Sequence, residues 1–377
     1  MYSLVFFLSS VLGKKLLDEN EFYIFNVSIV LFSMAFTYCF LGTEQLFVRF
    51  TDTSSSKTLI SKYIILYMMT GSCVYILTST LLVNFFIYKS IGYILPFVIS
   101  LLVTISVVTY NFYRVNKSFF SAQLIVGYWK LILPFSLLVS YSMAYEYALL
   151  MLLIISIIII FLILFKISKD IELTQEKHDD VFVLSIGFAF SLLVLLFLNN
   201  FDRWVVEHYL GKKMFTSYAY MLTITIMPFS LISSYFGFKE VAYLKSNYNK
   251  TQFNRKLVLV AFISLLMFFL WFNLIYLIKD YIDLDINYEL FIPLAVVVVS
   301  RCIYSLLSAL FGLKASKSNI ITVNIYTVVS IILGLLYLMQ SDVTMQKIVF
   351  VMCGIWVSRM LIFLLYSRKI EEYSNEV

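Results

Sequence analysis

Leu12-Gly13-Lys14-Lys15 recurs in this chain as Leu210-Gly211-Lys212-Lys213. Each copy is followed within about ten residues by a tyrosine and a long apolar run. A second, looser repeat, the second echo, relates Arg114-Val115-Asn116-Lys117-Ser118 to Lys314-Ala315-Ser316-Lys317-Ser318. The two copies are 198 residues apart in the first repeat and 200 residues apart in the second. Both distances are about half of the 377 residues, which predicts a duplicated chain. Half-length repeats are typical of transporters that rock one half against the other.

The composition places the chain in a membrane. It is 62% hydrophobic and 13% charged, whereas a soluble domain is about one-quarter charged. A helix needs about 20 apolar residues to cross a bilayer core of roughly 30 Å. Residues 1–12 would cover only roughly 18 Å as a helix, and we interpret them as a shortened first span. The other eleven predicted spans are residues 22–42, 62–87, 91–112, 119–142, 146–166, 181–200, 214–237, 257–278, 289–311, 319–339 and 345–367.

The distribution of basic residues predicts the orientation, because lysine and arginine are enriched in cytoplasmic loops. With a cytoplasmic N-terminus, seventeen of them fall in inner breaks and eight in outer breaks. Both termini are therefore expected in the cytoplasm, with an even number of crossings.

The most charged break predicts the boundary between the halves. We expect an N-terminal six-helix bundle over residues 1–166, a cytoplasmic linker over 167–180 and a C-terminal six-helix bundle over 181–377. The predicted fold is thus an all-α membrane protein of about twelve spans, in two bundles related by a pseudo-two-fold axis. The four cysteines and two histidines are widely separated, so neither a disulfide nor a metal site follows from them.

Lys130 and Arg301 fall in the middle of predicted spans. Such placements cost roughly 2.5 to 3.5 kcal/mol each on insertion scales, so both side chains should face protein or a water-filled cavity. Pro134 leaves the carbonyl of Lys130 without its helical donor and should loosen the helix there. The alternative is that Lys130 snorkels or pairs locally.

No acidic residue occupies the middle of a predicted span, so an anionic ligand is the expected partner of these cations. Arginine binds phosphate through bidentate forks and lysine binds it as a point charge. Arg359 is also flanked by apolar residues. It either belongs to the same cationic site or anchors the last span at the inner interface.

Two polar clusters border the predicted spans. Asn200, Asp202 and Arg203 follow the span that ends at residue 200, and Glu44 and Arg49 follow the span that ends at residue 42. Because Asp202 and Arg203 are neighbours, they point in different directions on a helix, and each is expected to pair with another helix. The first cluster is interpreted as a lock between the halves or an outer gate, and the second as an inner gate or a solvated helix end.

Three stretches carry a resemblance to a known family. They are Leu12-Gly13 with Glu21-Phe22-Tyr23 after it, the run GTEQLFVRF from Gly42 to Phe50, and Asn200-Phe201-Asp202-Arg203-Trp204 leading to Tyr218-Ala219-Tyr220. On these residues the chain resembles polysaccharide flippases of the Wzx type, in the multidrug, oligosaccharidyl-lipid and polysaccharide exporter superfamily. It departs from them where Phe22-Tyr23-Ile24 replaces an acidic residue followed by Tyr-Gly.

The resemblance implies two bundles in a V around a cationic central cavity, into which Lys130, Arg301 and Arg359 fit by charge alone. The cargo would be an undecaprenyl-pyrophosphate-linked oligosaccharide, such as an O-antigen repeat unit, moved across the bacterial inner membrane. Membrane lipids, a polysaccharide polymerase and a chain-length regulator are the implied partners, and no nucleic acid is expected. No cofactor is implied, and coupling to a proton or sodium gradient follows by analogy.

Two rival functions stay open. A multidrug extruder of the same superfamily would bind organic cations and needs buried carboxylates, above all in the N-terminal half. A membrane polysaccharide polymerase needs a large external loop, whereas the predicted outer breaks are about ten to fifteen residues long. The chain also lacks a zinc-protease helix, a phosphate-binding glycine loop and a nucleophile elbow, so we do not expect an enzyme.

Overall fold

Helices make up most of the structure, as the apolar runs predict. It is a computed structural model that describes residues 2–51, 57–83, 91–176, 181–229, 240, 244, 247–340, 342–371 and 373–374. The helices are α1 (Tyr2–Leu16), α2 (Glu19–Tyr38), α3 (Glu44–Phe50), α4 (Lys62–Leu82), α5 (Ile94–Val115), α6 (Phe119–Gly127), α7 (Trp129–Val139), α8 (Tyr145–Ile167), α9 (Val181–Thr225), α10 (Lys250–Ile278), α11 (Phe291–Lys314), α12 (Lys317–Met339) and α13 (Met345–Ser367). Short 3₁₀ turns cover Ser168–Asp170 and Tyr288–Leu290.

Ten helical stretches of the described residues are long and apolar enough to cross a membrane. The predicted last span coincides with α13 at both ends, and α1 is short, as expected, with 15 residues. Large apolar side chains on α8 and α10 are exposed, among them Ile158, Phe161 and Phe262, which suits contact with lipid. The chain is a multi-pass, all-helical membrane protein.

Capping residues set several helix starts. The Asp18, Asn249 and Thr344 side chains each accept a hydrogen bond from the backbone N–H three residues further on, at 2.7, 3.0 and 3.3 Å. Such caps satisfy amide groups that have no partner inside the first turn. They fix where α2, α10 and α13 begin.

Helix α9 contains a reversal at Gly211. This residue has φ +82° and ψ 175°, outside the helical range, and glycine adopts a positive φ without a steric penalty. Tyr218 donates a hydrogen bond to Asp202 at 2.7 Å, although 16 residues of straight helix would separate them by about 24 Å. The two segments of α9 therefore fold back on each other and supply two passes. With α1, the described helices then account for the twelve predicted crossings.

Helix α9 does not end at Asn200, where the sequence predicts that a span closes. The first segment of α9 runs unbroken through Asp202 and reaches Gly211. Apolar residues within and beside the polar run, Leu198, Phe201 and Val206, are buried, so packing supports the helix where local polarity suggested a loop.

A helix break separates α6 from α7 at Tyr128. Leu131 N–H bonds to the Tyr128 carbonyl at 2.8 Å, three residues back, which marks a tightened turn. Pro134 lies one turn further along, and its missing N–H leaves the Lys130 carbonyl without its usual donor. The loosening that the sequence predicts beside Lys130 thus falls at the start of α7.

Two small strand pairs occupy equivalent places in the helix order. Strand β1 (Thr58–Ser61) pairs in parallel with β2 (Ile171–Thr174), and β3 (Asn247–Tyr248) pairs antiparallel with β4 (Tyr373–Ser374). In each half, one strand precedes the third long helix and its partner follows the sixth. The first sequence echo likewise falls at the connection between the first and second helices of each half, and the second at the connection between the fourth and fifth. The order of elements therefore repeats.

The described residues form two compact units, Met1–Leu196 and Phe197–Val377. The division falls within α9. Part of the stretch 167–180 forms β2, which belongs to the first unit. The predicted linker and bundle boundaries stay predictions.

Candidate functional site: charges inside the helices

Lys130 is buried within the first unit, with 9% of its surface exposed. Its Nζ lies 5.8 Å from the centre of the Phe6 ring and 5.6 Å from that of Trp129. Cation–π contact of this kind favours a lysine that has lost part of its water. The expectation that Lys130 faces protein is therefore confirmed.

Arg301 on α11 is half-buried in the second unit. Its Nη2 donates to Asn199 Oδ1 at 2.7 Å, and its guanidinium lies 4.7 Å from the centre of the Trp356 ring. Arg301 thus joins α11 to α9 and α13.

Asp202 is the buried carboxylate that the sequence did not predict inside a span. It is 2% exposed, and its Oδ2 accepts the 2.7 Å hydrogen bond from Tyr218. Its Oδ1 is buried and has no hydrogen-bond partner in the described part of the chain. The carboxylate interacts electrostatically with Arg203 and Arg301, so the expectation that the mid-span cations have no helical counter-ion is wrong for Arg301.

Further polar groups crowd the same segment of α9. Arg203 Nε and Trp204 Nε1 are buried without a hydrogen-bond partner among the described residues, and Asn200 is 2% exposed. Glu207 lies four residues after Arg203, a spacing that brings two helical side chains together. The contacts shown for Asp202 lie within the second unit, and a lock between the halves stays a prediction.

Arg359 is fully buried on α13, with 0% exposure. Its Nη2 donates to the Tyr304 hydroxyl at 2.7 Å and its Nη1 to Asn324 Oδ1 at 3.5 Å. Its guanidinium lies 4.7 Å from the Tyr304 ring centre and 5.0 Å from that of Phe363. Arg359 therefore lies among packed side chains of α11, α12 and α13.

Arg301, Tyr304, Trp356 and Arg359 form one stack of side chains between α11 and α13, which we call the ladder. Arg301 stacks on Trp356 and Arg359 stacks on Tyr304, while the two aromatic rings meet edge to face at 5.9 Å. Each helix supplies one arginine and one aromatic residue at a spacing of three, which places them on the same face. The position of Arg301 is thus tied to that of Arg359.

Lys130, Arg301 and Arg359 have no salt bridge to a carboxylate in the part of the chain that the structure describes. No carboxylate among the described residues lies within 4.0 Å of the charged nitrogens of Lys130, Arg301 or Arg359. A charge inside a membrane is costly unless it is paired or hydrated. Lys130 is therefore suited to an anionic partner, and Arg301 is suited to one as far as the longer-range charge of Asp202 leaves it uncompensated. Arg359 cannot touch such a partner in this arrangement.

Glu44 follows the second helix, at the start of α3 and outside the membrane-length stretches. Burial raises the pKa of its carboxyl from 4.5 to about 7, although backbone hydrogen bonding at Glu44 and Gly42 and the charge of Arg114 lower it. Its Oε2 is buried without a hydrogen-bond partner in the described structure, so it is not a solvated helix end. The side chain of Arg49 lies outside the described residues.

Metal binding finds no support in the part of the chain that the structure describes. No group of three or more histidine, cysteine, aspartate or glutamate side chains there could hold a metal ion. The residues that sequence reasoning missed are the partners of the charges, namely Tyr218, Tyr304, Asn324 and Trp356. The spacings of three residues between Arg301 and Tyr304 and between Trp356 and Arg359 were the available signal.

Comparison with known proteins supports the fold. No protein-family model matches the chain, and no curated protein matches it. Among solved structures, the chain resembles a MATE protein crystallised in complex with Br-NRF. The TM-score is 0.54, with 13% sequence identity over 97% of this chain and 94% of that one. The likeness shows that the chain shares the fold of that protein.

Proposed function

We propose that this protein is an alternating-access transporter that flips an undecaprenyl-pyrophosphate-linked oligosaccharide across the bacterial inner membrane. The repeat unit would be an O-antigen or another surface polysaccharide unit. The protein itself makes or breaks no covalent bond in this role. A polysaccharide polymerase and a chain-length regulator would act on the cargo after translocation.

The observation that carries the proposal is the placement of Lys130, Arg301 and Arg359 inside membrane-length helices without a carboxylate within 4.0 Å among the described residues. A diphosphate carries the negative charge that such groups recognise, and a guanidinium can bind it through a fork. Arg301 is the less buried of the two arginines. Arg359 supports it through the ladder of Tyr304 and Trp356.

Two further points support a transporter with this orientation. The fold is that of a MATE transporter, which belongs to the superfamily that the Wzx-like stretches indicate. The excess of lysine and arginine in the inner breaks supports cytoplasmic termini. Strands β1 and β2 then lie on the cytoplasmic side, because they follow the second and sixth helices.

Extrusion of an organic cation is the second candidate function. A cation extruder needs buried acids, and Asp202 is 2% exposed while Glu44, just after the second helix, has a buried carboxyl oxygen. These two carboxyl groups favour this second function. The two functions differ in the sign of the charge on the cargo and in the side chains that contact the cargo.

Coupling to a proton or sodium gradient is part of both candidate mechanisms. Asp202 is the carrier in this proposal, since its Oδ1 is unpartnered in the described structure. A charged carboxylate at this place competes with an anionic cargo for Arg203 and Arg301, whereas a neutral one does not.

Complementation of a bacterium that lacks its own flippase tests the proposal. We expect the intact chain to restore surface polysaccharide, and Lys130→Ala and Arg301→Ala to abolish the restoration at equal membrane levels. The exposed Lys15 and Arg255 supply matched controls. Lys15→Ala and Arg255→Ala each remove one positive charge of the same residue type, but outside the site. Drug resistance without surface polysaccharide, lost in Asp202→Asn, would favour the cation extruder.

A further inference from the structure

The chain makes a tight elbow between α2 and α3. Helix α2 ends at Tyr38, and Leu41 and Gly42 follow with φ +50° and +86°. Residues with a positive φ reverse the chain sharply. Thr43 closes the elbow through a 2.8 Å hydrogen bond from its hydroxyl to the Phe40 carbonyl, so α3 begins at Glu44 in a fixed direction.

Backbone contacts hold this elbow against two helices of the same unit. A Cβ added at Gly42 would lie 2.7 Å from Phe188 Cβ on α9, and one added at Gly71 on α4 would lie 2.8 Å from the Phe40 carbonyl oxygen. Both distances are shorter than real Cβ contacts. The elbow is therefore packed on both sides at van der Waals distance.

Glu44 points its carboxyl group into this packed region. Its Oε2 is buried and has no hydrogen-bond partner in the described part of the chain, and the residues that follow, Leu46 and Phe47, are 0% and 3% exposed. An unpartnered carboxylate oxygen in such surroundings is costly. The neutral acid fits there better than the ion.

Two titratable groups from neighbouring elements face Glu44. Arg114 at the end of α5 lowers the pKa of the carboxyl, and burial outweighs it, so that the pKa is about 7. Cys39 at the end of α2 is buried and lies close enough to interact electrostatically with Glu44. Arg114 is therefore the positive charge among these two groups.

The charges on the other elements that pack against α3 are engaged elsewhere. Lys62, the first residue of α4, lies over the ring of Tyr63 at 5.4 Å. Lys57, just before β1, pairs with Glu172 at 3.7 Å. Arg114 lies over the Tyr110 ring at 6.0 Å, and among these cations it is the one whose charge acts on Glu44.

A movement of the elbow would reach the strand pair. Helix α3 packs against β1, which pairs with β2 over Thr58 to Ser61. The Ser61 hydroxyl also donates to the Glu176 carbonyl at 2.6 Å. The elbow is therefore linked to the segment that follows the sixth helix.

We propose that Glu44 is a proton-binding site whose occupancy decides whether the elbow between α2 and α3 stays packed. With a proton on Oε2, the neutral side chain keeps the arrangement seen here. When the proton leaves, the carboxylate turns towards Arg114 and the elbow loosens. This inference holds for either candidate cargo and does not rest on the proposed function.

Hydrogen exchange on the purified full-length protein at pH 6 and pH 8, corrected for the intrinsic rates, tests it. We expect the amides of residues 39–50 in the wild type to exchange about tenfold faster at pH 8 than at pH 6. At one pH unit above its pKa, a carboxyl group is mostly charged. Glu44→Gln should remove the difference. Glu19→Gln, which changes an exposed glutamate at the other end of α2, should keep it.

An infrared measurement covers the case in which the glutamine variant folds poorly. The wild type should lose a protonated carboxylic acid band between pH 6 and pH 8. Equal protection of the elbow at both pH values in the wild type would overturn the proposal. A pH difference that persists in folded Glu44→Gln would overturn it as well.

Discussion

Tyr218 and Asp202 lie on the two segments of α9 and meet across the turn at Gly211, where the Tyr218 hydroxyl donates to Asp202 Oδ2 at 2.7 Å. This bond closes a helical hairpin and holds a carboxylate beside Arg203 and Arg301. The hairpin thus positions the charges of the second unit. The repeated Leu-Gly-Lys-Lys stretch supplies the turn that makes the contact possible.

Tyr218→Phe should destabilise the protein, because it removes a hydrogen bond to a buried carboxylate. The expected loss is about 1–3 kcal/mol, the cost of leaving a buried polar group unsatisfied. Thermal unfolding in detergent measures it. Tyr209→Phe removes the hydroxyl of an exposed tyrosine, 53% exposed, and should change little; equal melting temperatures for the two variants would argue against the hairpin contact.

Gly211→Ala should destabilise the turn by roughly 1–2 kcal/mol, because an L-residue is strained in a left-handed conformation. Gly312→Ala is the matched control. Neither glycine has an atom within 4 Å of an added Cβ, and Gly211 alone of the two has a positive φ, +82°. A loss of the same size at Gly312, seen in thermal unfolding, would contradict the strain argument.

Arg359→Met should separate stability from transport. A buried arginine without a carboxylate within 4.0 Å among the described residues costs desolvation energy, and an apolar replacement of similar volume is often neutral or stabilising. We expect an unchanged or higher melting temperature together with reduced transport. Without Arg359, Tyr304 and Trp356 are held less firmly, and they in turn position Arg301. Full transport in this variant would show that Arg359 does not support the site.

Protein stability should fall between pH 4.5 and pH 7 through Glu44. Its pKa is raised from 4.5 to about 7, so the folded state binds the proton more tightly than the unfolded chain does. Its contribution is complete below pH 4.5 and is lost as the pH rises towards 7, by at most roughly 3.5 kcal/mol at about 1.4 kcal/mol per unit. Glu44→Gln should therefore melt higher than the wild type at pH 8, and an identical pH profile for the two proteins would contradict this.

Much of the fold follows from the sequence, because a bilayer requires long apolar helices and the chain supplies them. The limits of α13 and the short α1 were predictable on this ground. The continuation of α9 through Asp202 was not, since a polar run of four residues looks like a loop until its apolar neighbours are seen to be buried. The sequence could indicate that Arg301 and Arg359 were unusual, but only the three-dimensional packing of α11 on α13 shows that they share one ladder.

The central claim is that the helices hold cationic groups for an anionic lipid-linked cargo. The most direct measurement is flipping of a fluorescent polyprenyl-diphosphate oligosaccharide in liposomes that contain the purified protein, compared with Arg301→Gln and the control Arg255→Gln. We predict that the wild type and the control flip the lipid and that Arg301→Gln is slower by about tenfold or more, as expected for the loss of a charge-assisted hydrogen bond of about 1.5–3 kcal/mol. Equal flipping by all three proteins, or transport of an organic cation with no flipping of the diphosphate, would contradict the account.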